Sequence, residues 1–198
     1  MEIDARPFVT PLGVLAERGP SALLSDDSTR FLMTHLTVQP GARAAEPGCG
    51  TGMLSLFLAL AGASRVVGTD VDETALAAAR ENARANRIGG VEFCTGSLLE
   101  PVDGPLDLVV AQLPHRPAPR PVDRRFFGGE DGTDLVIATI RQAGDRLVPA
   151  GLIYLYLNSI ANPARVLAEL TACFDVQVCG ERRRPFSPEE MDRLTPGE

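Results

Sequence analysis

Apolar residues along this chain follow two rhythms. Short, nearly continuous apolar runs occupy residues 42–45, 64–69, 91–95, 106–111, 152–157 and 174–180. Between them, over residues 53–61, 73–86, 134–147 and 162–173, apolar positions return every three or four residues. The first rhythm predicts strands buried on both faces, the second amphipathic helices packed over them. Local chemistry agrees at the helix starts. Asp72 is placed to cap the Ala-rich helix at 73–86, and Asn162-Pro163 opens the last helix with a cap and a proline at the first helical position. Strands alternating with helices predict an α/β fold, a doubly wound and mostly parallel sheet. Residues 1–25 carry only weak periodicity and read as an irregular N-terminal arm lying over the site of a domain formed by residues 26–198.

Ligands of such sheets sit beyond the carboxyl ends of the strands. Four polar residues fall at that edge: Glu46, Asp70, Ser97 and Gln112. The first opens Glu46-Pro47-Gly48-Cys49-Gly50-Thr51-Gly52, whose glycines at every second position allow a sharp turn and a close backbone approach to a ligand. A bare strand-to-helix turn would use the same glycines. A dinucleotide site asks for a different spacing, with its third glycine one residue later, so a nicotinamide oxidoreductase is disfavoured. Asp70 lies 18 residues past Gly52, close to where a nucleoside-binding sheet grips a ribose diol, and a carboxylate accepts both hydroxyl protons. The adjacent Val71 is placed to cover one adenine face.

The E-x-G-x-G-x-G spacing resembles motif I of class I S-adenosylmethionine (SAM)-dependent methyltransferases. That resemblance implies a Rossmann-like fold, SAM as cofactor, and a cofactor site at Glu46, Gly48, Cys49, Gly50, Gly52, Asp70, Val71, Ser97, Leu98 and Gln112. Ser97 stands where many relatives carry an acid, so its bond to the adenine amino group would be weaker.

From Asp26 to Leu170 the chain also resembles the PrmC/HemK group, which methylates a glutamine side-chain amide in peptide-chain release factors. The resemblance rests on Asp27-Ser28-Thr29-Arg30 ahead of the glycine turn, Phe127-Gly128-Gly129-Glu130-Asp131-Gly132, and the Leu147–Gly151 turn. The layout is that of short forms without the group's N-terminal helical domain. Where the group carries Asn-Pro-Pro-Tyr, this chain has Gln112-Leu113-Pro114-His115. In the group's tetrad a carboxamide oxygen and a backbone carbonyl hold a planar NH₂ while a ring stacks on it, which is catalysis by orientation. Gln112 keeps the carboxamide on a longer stem, and His115 keeps a flat ring but adds a nitrogen that titrates near neutral pH. The resemblance therefore implies N-methylation of an amide or amine, with Gln112 and His115 as catalytic residues and Leu113, Pro114, Arg116 and Arg120 toward the acceptor. Two alternatives stay open. One is N- or O-methylation of a small anionic metabolite, with His115 as base and the arginines as clamp. The other is a SAM-binding interaction subunit without turnover.

Composition narrows partners more than chemistry. A chain of 198 residues with net charge −7 lacks the basic footprint of a general nucleic-acid binder. All 19 basic residues are arginine, and Arg116, Arg120, Arg124 and Arg125 crowd a proline-rich loop; a solvated loop and an anion clamp read equally well there. The four cysteines form no metal-ligand pattern, so no metal is expected. The longest apolar run, residues 53–63, is too short for a bilayer, and no signal peptide is apparent, which points to a cytoplasmic protein and no membrane partner. The partner is then a protein or small-molecule methyl acceptor. After residue 180 the prolines read as a loop and a short helix at 187–190, leaving the seventh strand usual in class I sheets missing. An open sheet edge of that kind predicts a homodimer.

Overall fold

The structure, a computed structural model, describes residues 3–21, 24–120, 123, 125–183 and 185. They fall into two compact units, one within residues 3–112 with 141–156, the other within residues 113–140 with 157–185.

The first unit begins with a hairpin of β1 (Ile3–Thr10) and β2 (Gly13–Pro20), paired in register from Ile3↔Pro20 to Thr10↔Gly13. The expected irregular arm is thus regular structure. Its inward positions are Phe8 and Thr10 on β1 and Leu15, Glu17 and Gly19 on β2, while Val9 and Val14 face outward. The strand alternation is present, but Thr10, Glu17 and Gly19 take three of the five inward positions, so a hydrophobic pattern does not reveal it. Asn82 and Asn86 of α3 (Glu73–Asn86) receive the hairpin: Arg18 N donates to Asn82 Oδ1 at 2.8 Å and Ala16 N to Asn86 Oδ1 at 2.7 Å.

The main sheet contains β3 (Arg43–Pro47), β4 (Arg65–Asp70), β5 (Val91–Thr95), β6 (Leu106–Ala111) and β7 (Leu147–Leu155), in the order β5-β4-β3-β6-β7 and parallel throughout. Helices α1 (Asp27–Met33), α2 (Met53–Leu60) and α3 flank it. Buried Leu54, Leu56, Leu58, Val66, Leu108 and Val110 join Phe8, Leu15, Leu32 and Met33 in one core, which ties the hairpin and α1 to the sheet. The predicted caps form: Asp72 accepts from Thr74 N at 2.9 Å and Asn162 from Arg165 N at 3.1 Å at the start of α5 (Pro163–Cys173). The strand order reverses direction at β3, because β4 lies on one side and β6 on the other. That switch point opens a crevice at the carboxyl ends of β3 and β6.

Three predicted elements differ. Helix α4 (Asp134–Gly144) stops short of residue 147, and β7 starts there instead of at residue 152. Leu106 pairs with Leu147, but Leu108 pairs with Leu152, so the Pro149-Ala150-Gly151 turn is a bulge inside the strand, with Ala150 at φ +65°. The predicted strand at 174–180 does not form; Val176 and Val178 are exposed. Its Val-x-Val alternation has the propensity of a strand but no neighbour to pair with, and propensity alone does not make one. No antiparallel strand follows β7 among the described residues, and the predicted helix at 187–190 lies outside them.

Candidate active site

Strand β3 carries Glu46 to the sheet edge and hands the chain to the glycine turn. Gly48, Gly50 and Gly52 all have left-handed φ, at +70°, +52° and +79°. At Gly52 a side chain is excluded twice over, because a Cβ would also fall 2.8 Å from the Phe93 ring and 2.9 Å from Ala79 Cβ. The turn is anchored on β4. Cys49 N donates to Thr69 O at 2.8 Å, and Gly50 N donates to Asp70 Oδ2 at 3.0 Å. The other oxygen of Asp70 accepts from Asp72 N at 2.9 Å. Asp70 therefore braces the turn while each of its oxygens retains a lone pair.

The crevice at the switch point is an open pocket of about 160 Å³. Its walls are Glu46 and residues 48–51 of the glycine turn, Gln112 at the end of β6, and Ser25, Asp26 and Thr29 at the start of α1. Gln112 Nε2 donates to Asp26 Oδ1 at 3.4 Å, and the same Asp26 oxygen caps α1 by accepting from Ser28 N and Thr29 N. Glu46 is buried and accepts from the Ser55 hydroxyl. Burial pushes its carboxyl up to about 8, against the Ser55 hydrogen bonds, and the Asp70 charge adds to the rise. Burial, with Glu46 and Asp70 nearby, also drives the Cys49 thiol well above its ordinary value, so Cys49 is a small apolar wall and not a nucleophile.

The ends of β4 and β5 bring Asp70, Val71, Ser97 and Leu98 to the same edge, where Gly96 N donates to Asp70 O at 3.0 Å. Val71 is 55 % exposed, unusual for a large apolar side chain beside a polar edge. Leu98 sits at φ +51°, a strained conformation for a residue with a Cβ, held by the Thr69 hydroxyl on its carbonyl. Asp70, Val71, Ser97 and Leu98 are not among the walls of the described pocket.

Gln112 ends the first of the two stretches that make up the first unit, and Leu113, Pro114 and His115 open the second unit. His115 Nδ1 lies 2.6 Å from Leu113 O. A carbonyl only accepts, so the neutral ring carries its proton on Nδ1 and its basic lone pair on Nε2. The loop that follows is clasped by the Gly-Gly-Glu-Asp-Gly stretch: Arg116 N donates to Phe126 O at 2.8 Å, Gly128 N to Arg116 O at 2.9 Å and Ala118 N to Gly129 O at 3.1 Å. A Cβ on Gly132 would stand 2.5 Å from His115 O. Asp131 fastens the stretch to α5, with Arg165 Nη1 at 3.0 Å from both of its oxygens and the Thr133 hydroxyl at 2.6 Å. The Thr133 bonds, then Arg165, hold its carboxyl below the usual range.

Among the loop arginines, Arg125 pairs with Asp123, which favours the solvated-loop reading for that residue; Arg116 and Arg120 are described, and Arg124 lies outside the described residues. His35 faces Phe31, whose carbonyl it meets at 2.8 Å, at the end of α1. Among the described residues no cluster of His, Cys, Asp or Glu is arranged for a metal, and no helix is long and apolar enough to cross a membrane. Sequence reasoning missed Asp26, Thr29 and Thr51 as pocket walls. The signal for the first two was the Asp26-Asp27-Ser28-Thr29 run, a helix start that also ends up facing the glycine turn.

With this geometry in view, comparison with known proteins decides the family. The methyltransferase small domain model matches residues 8–182. The chain belongs to that family of SAM-dependent methyltransferases. Its relatives include the release factor glutamine methyltransferase of Deinococcus radiodurans, 34 % identical over 183 residues, which covers 84 % of this chain and 65 % of that protein. This chain therefore spans slightly less than two thirds of that relative. A candidate protein N5-glutamine methyltransferase of Methanocaldococcus jannaschii is 24 % identical over 88 % of this chain and 91 % of its own length. The fold matches that of a Thermus thermophilus 16S rRNA N2-methyltransferase solved with AdoMet and guanosine, at TM-score 0.68 and 22 % identity over 85 % of this chain and 46 % of that one. The PrmC/HemK-like and Rossmann-like expectations from sequence are thereby borne out at the level of family and fold.

Proposed function

We propose that this chain uses SAM to methylate nitrogen of a planar NH₂ group, the side-chain amide of glutamine in a protein acceptor. The observation that carries the reading is Gln112. Its carboxamide lines the crevice at the switch point, with its NH₂ turned to Asp26, so its oxygen is the end left to accept from an acceptor nitrogen. Similarity over most of the chain to a release factor glutamine methyltransferase supports the same class of acceptor.

The residues at the sheet edge fit SAM. Glu46, buried with its carboxyl near 8, suits an arriving ammonium, which would restore its charge. With the turn at 48–52 it would hold the amino-acid end of the cofactor. Asp70, with a lone pair left on each oxygen, would take the ribose hydroxyls. Exposed Val71, with Ser97 and Leu98, would cover and bond the adenine. Bound SAM supplies a methyl group on a positively charged sulfur, already a strong electrophile. The protein then contributes alignment and exclusion of water. Gln112 orients the nitrogen lone pair, Leu113 and Pro114 shape the acceptor side, and His115 offers a flat ring whose Nε2 is basic. Arg116 and Arg120 would meet acidic groups of the acceptor.

Labelled methyl transfer tests this. The protein, labelled SAM and a release factor should yield labelled protein, with the label on a glutamine by mass spectrometry and lost when that glutamine is replaced. Label found only in the RNA or metabolite fraction of a cell extract would overturn the acceptor class and leave the cofactor assignment intact.

A further inference from the structure

We infer that Glu17, in the N-terminal hairpin and far from the glycine turn in sequence, is a positioning residue for the cofactor pocket. Its side chain has no solvent exposure, yet it carries a carboxylate whose bonds reach three separate segments. Oε1 accepts from the Thr51 hydroxyl at 2.7 Å and from Ser25 N at 2.7 Å. Oε2 accepts from Arg6 Nε at 3.1 Å and Nη2 at 3.0 Å. Thr51 and Ser25 both line the pocket, one from the glycine turn and one from the segment that leads into Asp26 and hence to Gln112. A single oxygen thus fixes the separation of the two walls. Arg6 occupies the other oxygen, Oε2, and also donates to Ser25 O. Asn82 secures the same corner by donating to Thr51 O at 3.0 Å and Arg18 O at 2.9 Å.

A merely structural hairpin would not need this arrangement. Phe8 and Leu15 already supply its apolar anchorage, and a buried carboxylate is costly unless every lone pair it presents is used. Placing the carboxylate between two pocket walls couples the position of the hairpin to the shape of the site. The inference rests on the SAM assignment of the pocket.

The test is titration of S-adenosylhomocysteine (SAH) into the whole chain by calorimetry, with thermal melts alongside. Thr51→Val removes the hydroxyl that binds Glu17 while keeping shape, and SAH should bind about tenfold more weakly. Thr51→Ser restores the hydroxyl and should bring affinity back to within about twofold. Glu17→Gln should weaken binding by about tenfold or more, and the Glu17→Gln/Thr51→Val double variant should be no weaker than Glu17→Gln alone, since the Thr51 hydroxyl acts through the Glu17 carboxylate. Should Glu17→Gln fail to fold, the Thr51 pair still decides. Wild-type affinity in Thr51→Val overturns the inference alone. Absence of SAH binding to the wild-type protein overturns the cofactor assignment, and the inference with it.

Discussion

Gly128 lies directly against His115: a Cβ built on the glycine would stand 2.6 Å from His115 Cα. The backbone of Gly128 is not left-handed, so the requirement for glycine is one of space alone. The Gly-Gly-Glu-Asp-Gly stretch, which carries the PrmC/HemK resemblance, is thus the mould of the loop that bears His115.

Gly128→Ala should therefore separate chemistry from cofactor binding. Overpacking of this kind costs about 1–3 kcal/mol of stability. Methyl transfer to the release factor is expected to fall by about 100-fold or more, because a displacement near 1 Å in a reacting arrangement has that consequence. SAH affinity should stay at the wild-type value. Single-turnover transfer and SAH titration of the same preparation check both.

Asp70 and Asp72 make a second contrast. Asp70→Ala removes the acceptor of Gly50 N and Asp72 N together with the proposed ribose ligand, so SAH affinity should drop by about tenfold or more. Asp72→Ala loses the cap of α3 and should cost about 1 kcal/mol of stability with SAH affinity unchanged. Urea melts and SAH titrations of the two variants separate these effects.

The glycine turn, the acid after β4 and the caps of α3 and α5 were legible in the sequence because each is a local arrangement of unusual residues with a stated geometric reason. The hairpin was not, since Thr10, Glu17 and Gly19 occupy inward positions where a periodicity expects apolar side chains. The start of β7 was hidden for another reason: Pro149-Ala150-Gly151 has turn chemistry, and only pairing with β6 makes it a bulge within a strand. Asp26 illustrates the limit for the site. Its capping role lies in its neighbours, but its bond to Gln112 joins residues 86 positions apart, which no local pattern encodes.

Glu46 gives a pH signature. Its carboxyl sits near 8 in the folded protein against an ordinary value of 4.5, so folding favours the protonated form. The stability this contributes is complete below pH 4.5 and is lost as pH rises through 8. The slope from this group is at most about 1.4 kcal/mol for each pH unit in that window. Glu46→Gln keeps an acceptor for Ser55 and removes the titration, so its stability should decline less than that of the wild type between pH 6 and pH 8, as denaturant melts would record. Because the proposed ammonium partner prefers the ionised carboxylate, SAH affinity of the wild type should rise over the same window and that of the variant should not.

The tetrad decides between orientation and proton removal. If Gln112 holds an acceptor nitrogen, Gln112→Ala should lower turnover by about 100-fold while SAH affinity changes by no more than about twofold. His115→Phe keeps a flat ring and removes both the Nδ1 donor to Leu113 O and the basic Nε2. A primary amide attacks with both N–H protons in place; as the N–CH₃ bond forms the S–CH₃ bond breaks, and one N–H proton leaves to water only afterwards, so no base is needed to create the nucleophile. Stacking alone should then suffice: His115→Phe should retain turnover within about tenfold, and the pH–rate profile should keep its shape. A general base predicts otherwise, with a loss of about 100-fold or more and the disappearance of the low-pH limb set by the imidazole. That second outcome, measured as kcat/KM between pH 5 and pH 9, would reject the amide acceptor in favour of a hydroxyl or ammonium group that must first surrender a proton.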